Sequence, residues 1–236
     1  MPEIPSDTQN ILSAIPLFHG LNQAELEWVA RRAHRRVFPA GANVLVAEQP
    51  GEAVYIILSG TVKIYIDQVN RQSVVLSIIG AGDTLGEISL LDSSGHSASA
   101  VTLEESLMLW MDKTAFHQIL EEFPRISRNL VNIMGTRLRM NNELIQSLAT
   151  LDAKGRVARQ LLAFADRYNP LDGHNSDNPV TIPITLKQSD IADLVGASRK
   201  RVNHVMVAFR EQGLVTTTPA GKLVVVDRQG LAKFCQ

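Results

Sequence analysis

The stretch that most limits what this chain can become runs from Pro124 to Asp152, PRISRNLVNIMGTRLRMNNELIQSLATLD. No proline follows Pro124, Gly135 is its one glycine, and its composition favours helix. Val131, Met134, Leu138, Asn141, Ile145 and Leu148 recur at alternating spacings of three and four, the seam of a coiled coil. Leu130, Ile133, Met140, Leu144 and Leu151 make a second stripe on a neighbouring face. One face can meet a second chain and the other the chain's own N-terminal part. The seam carries one polar residue, Asn141, beside Asn142. A polar residue in a seam fixes register and the number of chains.

At 236 residues the chain suits one or two domains with full hydrophobic cores, and an apolar fraction of 45% is ordinary for a globular protein. The formal net charge of -1 places any basic surface locally rather than over the whole molecule. Cys235 is the only cysteine, which excludes an internal disulfide and a four-cysteine iron–sulfur cluster within one chain. The opening residues MPEIPSDTQN lack the basic stretch and apolar run of a signal peptide. No apolar run approaches the roughly 20 residues of a membrane helix, so a cytoplasmic protein without a membrane partner is expected.

Residues 8–34 are expected to be helical, with Asn22 as an N-cap and Glu25 completing a capping box. Arg31, Arg32, His34, Arg35 and Arg36 read as a solvated helix end, because the apolar residues between them face a core. From Val37 to Asp112 short runs rich in Val, Ile, Leu and Tyr predict strands at 44–47, 54–58, 61–66, 73–79, 98–103 and 107–111. Ser59-Gly60 suits a two-residue hairpin and 67–70 a longer one. Many short, closely spaced strands argue for an antiparallel roll or sandwich.

Within that region lies GAGDTLGEISLLD from Gly80 to Asp92, then SSGHSAS. Gly82 and Gly86 let the backbone turn and let a ligand approach. The residues from Gly86 and Glu87 to Leu91, Ile88 among them, suit one short helical turn whose free N–H groups could bind an anion. Glu87 can accept from a sugar hydroxyl and Ser97 can donate to a phosphate. A plain glycine turn between strands is the alternative.

After Asp152, Lys154-Gly155-Arg156 interrupts the apolar pattern as a hinge, and a new helix should run to about Tyr168. Residues 169–180 read as a polar loop. Asp172, His174 and Asp177 in it match no Ca²⁺ loop spacing, and no metal is expected. Farther on, Ile191, Ala192, Leu194 and Val195 face inward on a short helix, Gly196 allows a sharp turn, and Ser198 caps a second helix. The apolar side of that second helix is Val202, Val205, Met206 and Phe209, which together make a helix-turn-helix. Arg199, Lys200 and Arg201 open the second helix, with Asn203 and His204 following, and its first turn would enter the major groove. The segment from Lys187 to Lys222 is +3, with six Lys or Arg against three acids. Basic residues opening a helix oppose its dipole, so they imply a phosphate or base partner rather than stability. Leu214 to Thr218, a turn at 219–222 and Leu223 to Val226 read as a hairpin wing.

The order of GEAVYIILSGTVKIY, GDTLGEISLLD, long helix and helix-turn-helix resembles the CRP/FNR family of bacterial transcription regulators, from about residue 10 to 228. The resemblance implies an α+β fold in three parts. These are a cyclic-nucleotide-binding-type antiparallel β-roll with N-terminal helices (1–123), a central dimerisation helix (124–152) and a winged helix-turn-helix (153–236). It implies a homodimer on near-palindromic double-stranded DNA, RNA polymerase as a further partner, and no catalytic residues. Gly86, Glu87, Ile88 and Ser97 match the family's effector cassette, and Asn141 and Asn142 stand where the helix meets the purine. His96 stands where a phosphate-binding Arg is usual. Arg offers a permanently charged fork, whereas a histidine of ordinary pKa about 6.5 is mostly neutral. Cyclic AMP, a cyclic dinucleotide such as cyclic di-GMP, or no small ligand remain as readings. The base-reading positions are Arg199, Lys200 and His204, with Ser198, Arg201 and Asn203 beside them. No Gly-x-Ser-x-Gly, His-Glu-x-x-His or Walker pattern supports an enzyme. A sequence-independent DNA-architectural protein is the rival of another class.

Overall fold

In the computed structural model, which describes residues 11–67, 73–169 and 178–235, Asn22 starts the first full helix as its sequence predicts. Its side chain accepts from Glu25 N while Glu25 reaches back to the Asn22 N–H, and α1 (Gln23–Ala30) follows. The expected helix over 8–34 is too long at its end, because His34–Phe38 is a strand, β1. Its residues alternate poorly because the strand lies at a sheet edge, paired on one side only, with four of five residues exposed. Arg31 and Arg32 close the helix as expected, whereas His34, Arg35 and Arg36 belong to the strand. Arg32 stacks on Trp28, Arg36 on Phe38, and the His34 ring lies 5.0 Å from Trp110.

The strands that follow are β2 (Asn43–Leu45), β3 (Ala53–Ser59), β4 (Thr61–Asp67), β5 (Ser73–Gly80), β6 (Thr84–Leu85), β7 (Ser99–Thr102) and β8 (Ser106–Asp112). They form two four-stranded sheets, ordered β1-β8-β3-β6 and β2-β7-β4-β5. Phe38, Ile57, Leu85 and Met108 of one meet Leu45, Val62, Ile79 and Ala100 of the other in a single apolar cluster, which makes the roll. The opposite face of the first sheet, through Val54, Ile56, Leu109 and Met111, packs on Leu12, Phe18, Val29, Phe116 and Ile126.

Ser59-Gly60 does not close a hairpin. β3 pairs with β6 and β8 while β4 pairs with β7, so these two residues carry the chain from one sheet to the other. Gly60 has φ +106, and a Cβ there would lie 2.7 Å from the Ser106 Cα, which leaves room for glycine alone. Of the turns expected at 67–70 and the loop at 169–180, residues 68–70 and 170–177 lie outside the described residues, including Asp172, His174 and Asp177.

After β8, Asp112 caps α3 (Lys113–Glu122) through Ala115 N. The long helix α4 spans Pro124–Thr150. Asp152 caps α5 (Ala153–Tyr168), so the break lies at 151–152 and the expected hinge residues Lys154-Gly155-Arg156 are already helical. The chain divides into two compact units, Met1–Arg71 with Ser77–Arg137, and Leu138–Gln236 with Gln72–Leu76. In the second, α6 (Gln188–Leu194) and α7 (Arg199–Glu211) pack together and a three-stranded sheet orders β10 (Val215–Thr217), β11 (Leu223–Val225) and β9 (Val180–Thr181). A final helix α8 (Arg228–Ala232) packs on α5.

Gly60→Ala should destabilise the first unit by about 1–3 kcal/mol, from strain at positive φ together with the Ser106 clash. Chemical denaturation of the variant against the parent measures it.

Candidate effector site and nucleic-acid interface

The glycine-rich segment folds as its composition suggests. Gly86 sits at φ +88, where a Cβ would meet the Ala53 carbonyl oxygen at 2.6 Å, and the short helix α2 (Glu87–Leu91) follows. This backbone turn pulls Glu87 inward until only 2% of the residue is exposed. A buried carboxylate needs a partner. Arg137 supplies it: its Nη1 lies 2.5 Å from Glu87 Oε1, and its Nη2 donates to the Thr84 carbonyl and, at 3.2 Å, to the Thr84 hydroxyl. Glu87 Oε2 is buried and has no hydrogen-bond partner among the described residues.

Arg137 is absent from the residues singled out in the sequence, yet a signal for it exists. It falls between Ile133 and Met140 at spacings of four and three, in the gap of the second apolar stripe. Leu130 and Ile133 of that stripe pack on the core of the first unit. A cation inside a core-facing stripe asks for a buried anion.

His96 lies seven residues after Ser89, and its Nδ1 is 2.9 Å from the Ser89 hydroxyl. That hydroxyl donates its one proton to the Gly86 carbonyl at 2.9 Å. With its proton so placed, the hydroxyl accepts from His96 in the tautomer that carries the proton on Nδ1. The His96 main chain is pinned on both sides, donating to the Gln49 carbonyl and accepting from Glu48 N. His96 lines a cavity of about 670 Å³ with Arg36, Gln49, Tyr55, Trp110 and Asp112. Glu87, Ile88 and Ser97 are not in that lining; Ile88 and Ser97 face solvent. Asn141 and Asn142 are exposed on α4. Burial pushes the His96 pKa below its ordinary 6.5, and the nearby Glu87 carboxylate works against that shift.

Along α4 the expected seam is largely bare. Val131, Leu138, Ile145 and Leu148 are 68, 62, 64 and 41% exposed, and Met134 is partly buried against the core.

In the second unit, Ser198 accepts from Arg201 N and starts α7. Val202, Val205, Met206 and Phe209 are buried on one side, and Ile191, Ala192, Leu194 and Val195 are buried on and after α6. Gly196 makes the turn at φ +59. Ser198, Arg199, Lys200, Arg201, Asn203 and His204 all face solvent, and α7 has no acid in its first turn. The wing is held by Lys222, whose ammonium donates to the Thr185 hydroxyl at 2.8 Å.

Comparison with known proteins accounts for both halves. Residues 35–123 match the cyclic nucleotide-binding domain, and residues 155–234 match the Crp-like helix-turn-helix domain. The CRP-like cAMP-activated global transcriptional regulator of Mycobacterium tuberculosis is 33% identical over 224 residues, 94% of this chain and 97% of that protein. The chain belongs to the CRP/FNR family. The Cyclic AMP receptor protein of Thermus thermophilus is 30% identical, over 86% of this chain and 89% of that one. The structure of FixK2 from Bradyrhizobium japonicum superposes with a TM-score of 0.72 at 20% identity, covering 86% of this chain and 98% of its own. As a member of this bacterial family the protein is a DNA-binding transcription regulator and not an enzyme. No helix among the described residues is long and apolar enough to cross a membrane.

Two outcomes follow from the geometry. Arg137→Ala leaves Glu87 buried without its cation. Fully buried pairs lose about 3–5 kcal/mol this way, and the partial exposure of Arg137 lowers the loss to about 2 kcal/mol. Glu87→Gln added to Arg137→Ala should recover much of it in urea titrations. For His96, the unfolded chain takes up a proton more readily than the folded one. Its contribution is complete above the ordinary pKa of 6.5 and is lost as pH falls through 6.5 toward the lower folded value. The melting temperature of His96→Gln should therefore fall less than that of the parent between about pH 7.5 and 5.5.

Proposed function

We propose that the protein is a homodimeric, sequence-specific regulator whose roll (1–123) binds a cyclic-nucleotide-type effector, whose central helix (124–152) dimerises, and whose C-terminal part (153–236) reads DNA. The observation that carries the DNA reading is the exposed first turn of α7. Arg199, Lys200 and Arg201 stand there against the helix dipole, and among the described residues no acid pairs with them. A helix N-terminus in that state is stabilised by phosphates and guanine edges. Arg199 reads guanine O6 and N7, and Lys200 and His204 set the neighbouring positions, with Ser198, Arg201 and Asn203 on the backbone.

The effector reading rests on Glu87. Its Oε1 is taken by Arg137, and the buried, unpartnered Oε2 is matched to a ligand hydroxyl such as that of a ribose. The M. tuberculosis relative is named as cAMP-activated, which favours a cyclic mononucleotide over cyclic di-GMP for this chain. A second copy would cover the exposed seam of Val131, Leu138, Ile145 and Leu148, with Asn141 fixing register. Two recognition helices would then sit about 34 Å apart on a near-palindromic operator. RNA polymerase is the expected partner of the bound dimer, in the cytoplasm.

Arg199→Ala should weaken a selected operator by about 1–3 kcal/mol and relax its preference at one guanine. Binding-site selection followed by titration measures both, and unchanged selectivity contradicts the assignment. Leu138→Glu with Ile145→Glu should convert the protein to a monomer in sedimentation equilibrium, with loss of operator binding.

A further inference from the structure

His96 has an unusual acid–base property, and its consequence for ligand binding depends on the effector reading above. Ser89 lies between the Gly86 carbonyl and His96 Nδ1, and when its single hydroxyl proton goes to the carbonyl it accepts the proton of Nδ1. Neutral His96 then has only a lone pair left on Nε2, which makes no hydrogen bond to the described residues. A phosphate oxygen is also an acceptor, and two acceptors repel. From the Nδ1–H tautomer, only protonation to the imidazolium supplies an N–H at Nε2 that can donate to a phosphate. The backbone ties to Glu48 and Gln49 hold the His96 main chain beside the cassette.

We propose that His96 makes effector binding proton-linked: the pocket takes a phosphate-bearing cyclic nucleotide together with one proton, carried on Nε2, and binds it more tightly as pH falls. A cyclic phosphodiester remains a monoanion throughout the neutral range, so the proton taken up belongs to the protein. The charged groups facing His96 are few. Glu87 on α2 favours the imidazolium, and Arg137 of α4 neutralises that carboxylate. Arg36 of β1, Glu52 before β3 and Asp112 at the end of β8 line the cavity that His96 also lines. His117 of α3 lies at the other end of α2, its Nε2 3.0 Å from the Leu90 carbonyl, and serves as an internal control. Burial keeps the ligand-free imidazole neutral near pH 7, so the proton arrives with the ligand. The consequence for the cell is a regulator that weighs nucleotide concentration against pH.

The test is calorimetric titration of the full-length protein with cyclic AMP and cyclic GMP from about pH 6 to 8, in buffers of different ionisation enthalpy. The parent and His117→Gln should gain up to about tenfold in affinity per unit fall in pH, with close to one proton taken up per site. His96→Arg should bind tightly at every pH without proton uptake, and His96→Gln weakly and without pH dependence. Long-range ¹⁵N NMR of the free protein should place the His96 proton on Nδ1. Parent affinity that changes less than about twofold across the range, or an Nε2–H tautomer, overturns the proton link and leaves the effector reading standing. Tight binding by His96→Arg alone, with none by the parent even at the acid end, also overturns it. Binding by neither protein at any pH overturns both.

Discussion

A carboxylate that is almost wholly removed from water, Glu87, is held by the guanidinium of Arg137, and the placement of α2 depends on that pair. The carboxylate is buried because Gly86 adopts a positive φ against the Ala53 carbonyl, which no other residue tolerates there. The guanidinium is present because the long helix places a cation in the stripe that faces the roll. A buried ion pair gains little net stability, since desolvation offsets the attraction, but it strongly penalises any arrangement that separates its members. It therefore specifies where α2 lies against α4. It also leaves one carboxylate oxygen, Oε2, with its hydrogen-bonding capacity unspent. A ligand that donates to that oxygen acts on the same group that positions the helix, which gives effector binding a direct hold on α4.

The second unit shows the complementary economy. Its core, built from Val202, Met206 and Phe209 of α7 with Ile191 and Val195 beside it, is ordinary and well buried. Its functional surface is locally unfavourable, because three cations crowd the positive end of a helix dipole. Stability is supplied by the buried side of α7 and by the Ser198 cap, so the exposed side is free to be selected for a polyanionic partner. The same logic applies to the seam of α4, where four large apolar residues stand exposed in a single chain.

Much of this was legible in the sequence, for identifiable reasons. The helix-turn-helix was readable to the residue because its buried positions, its Ser198 cap and its Gly196 turn are all local signals. The capping box at Asn22 and Glu25 was equally local. What escaped depended on distant partners. The strand β1 is an edge strand whose His-Arg-Arg run shows no alternation, and β6 is only two residues long. Ser59-Gly60 looks like a hairpin in sequence, and only the pairing of β3 with β8 and β4 with β7 shows that the chain changes sheet there. An arginine on a helix usually belongs to a solvated face, so Arg137 carries no local signal of its role. Its place in an apolar stripe is explained by the buried Glu87, fifty residues earlier. His96 was noticed in the sequence for what it lacks beside an arginine. The hydrogen bond from Ser89 to Gly86 adds what that histidine can do.

The regulator proposed above requires a ligand in the roll and an operator on α7 to be energetically coupled through one chain. Reciprocal titration tests it most directly: operator affinity measured by fluorescence anisotropy with and without saturating cyclic AMP, and cyclic AMP affinity measured with and without saturating operator, at one pH and salt concentration. Linkage requires the two factors to be equal, and the account predicts both to exceed about fivefold. Operator affinity that is the same with and without bound ligand would contradict it.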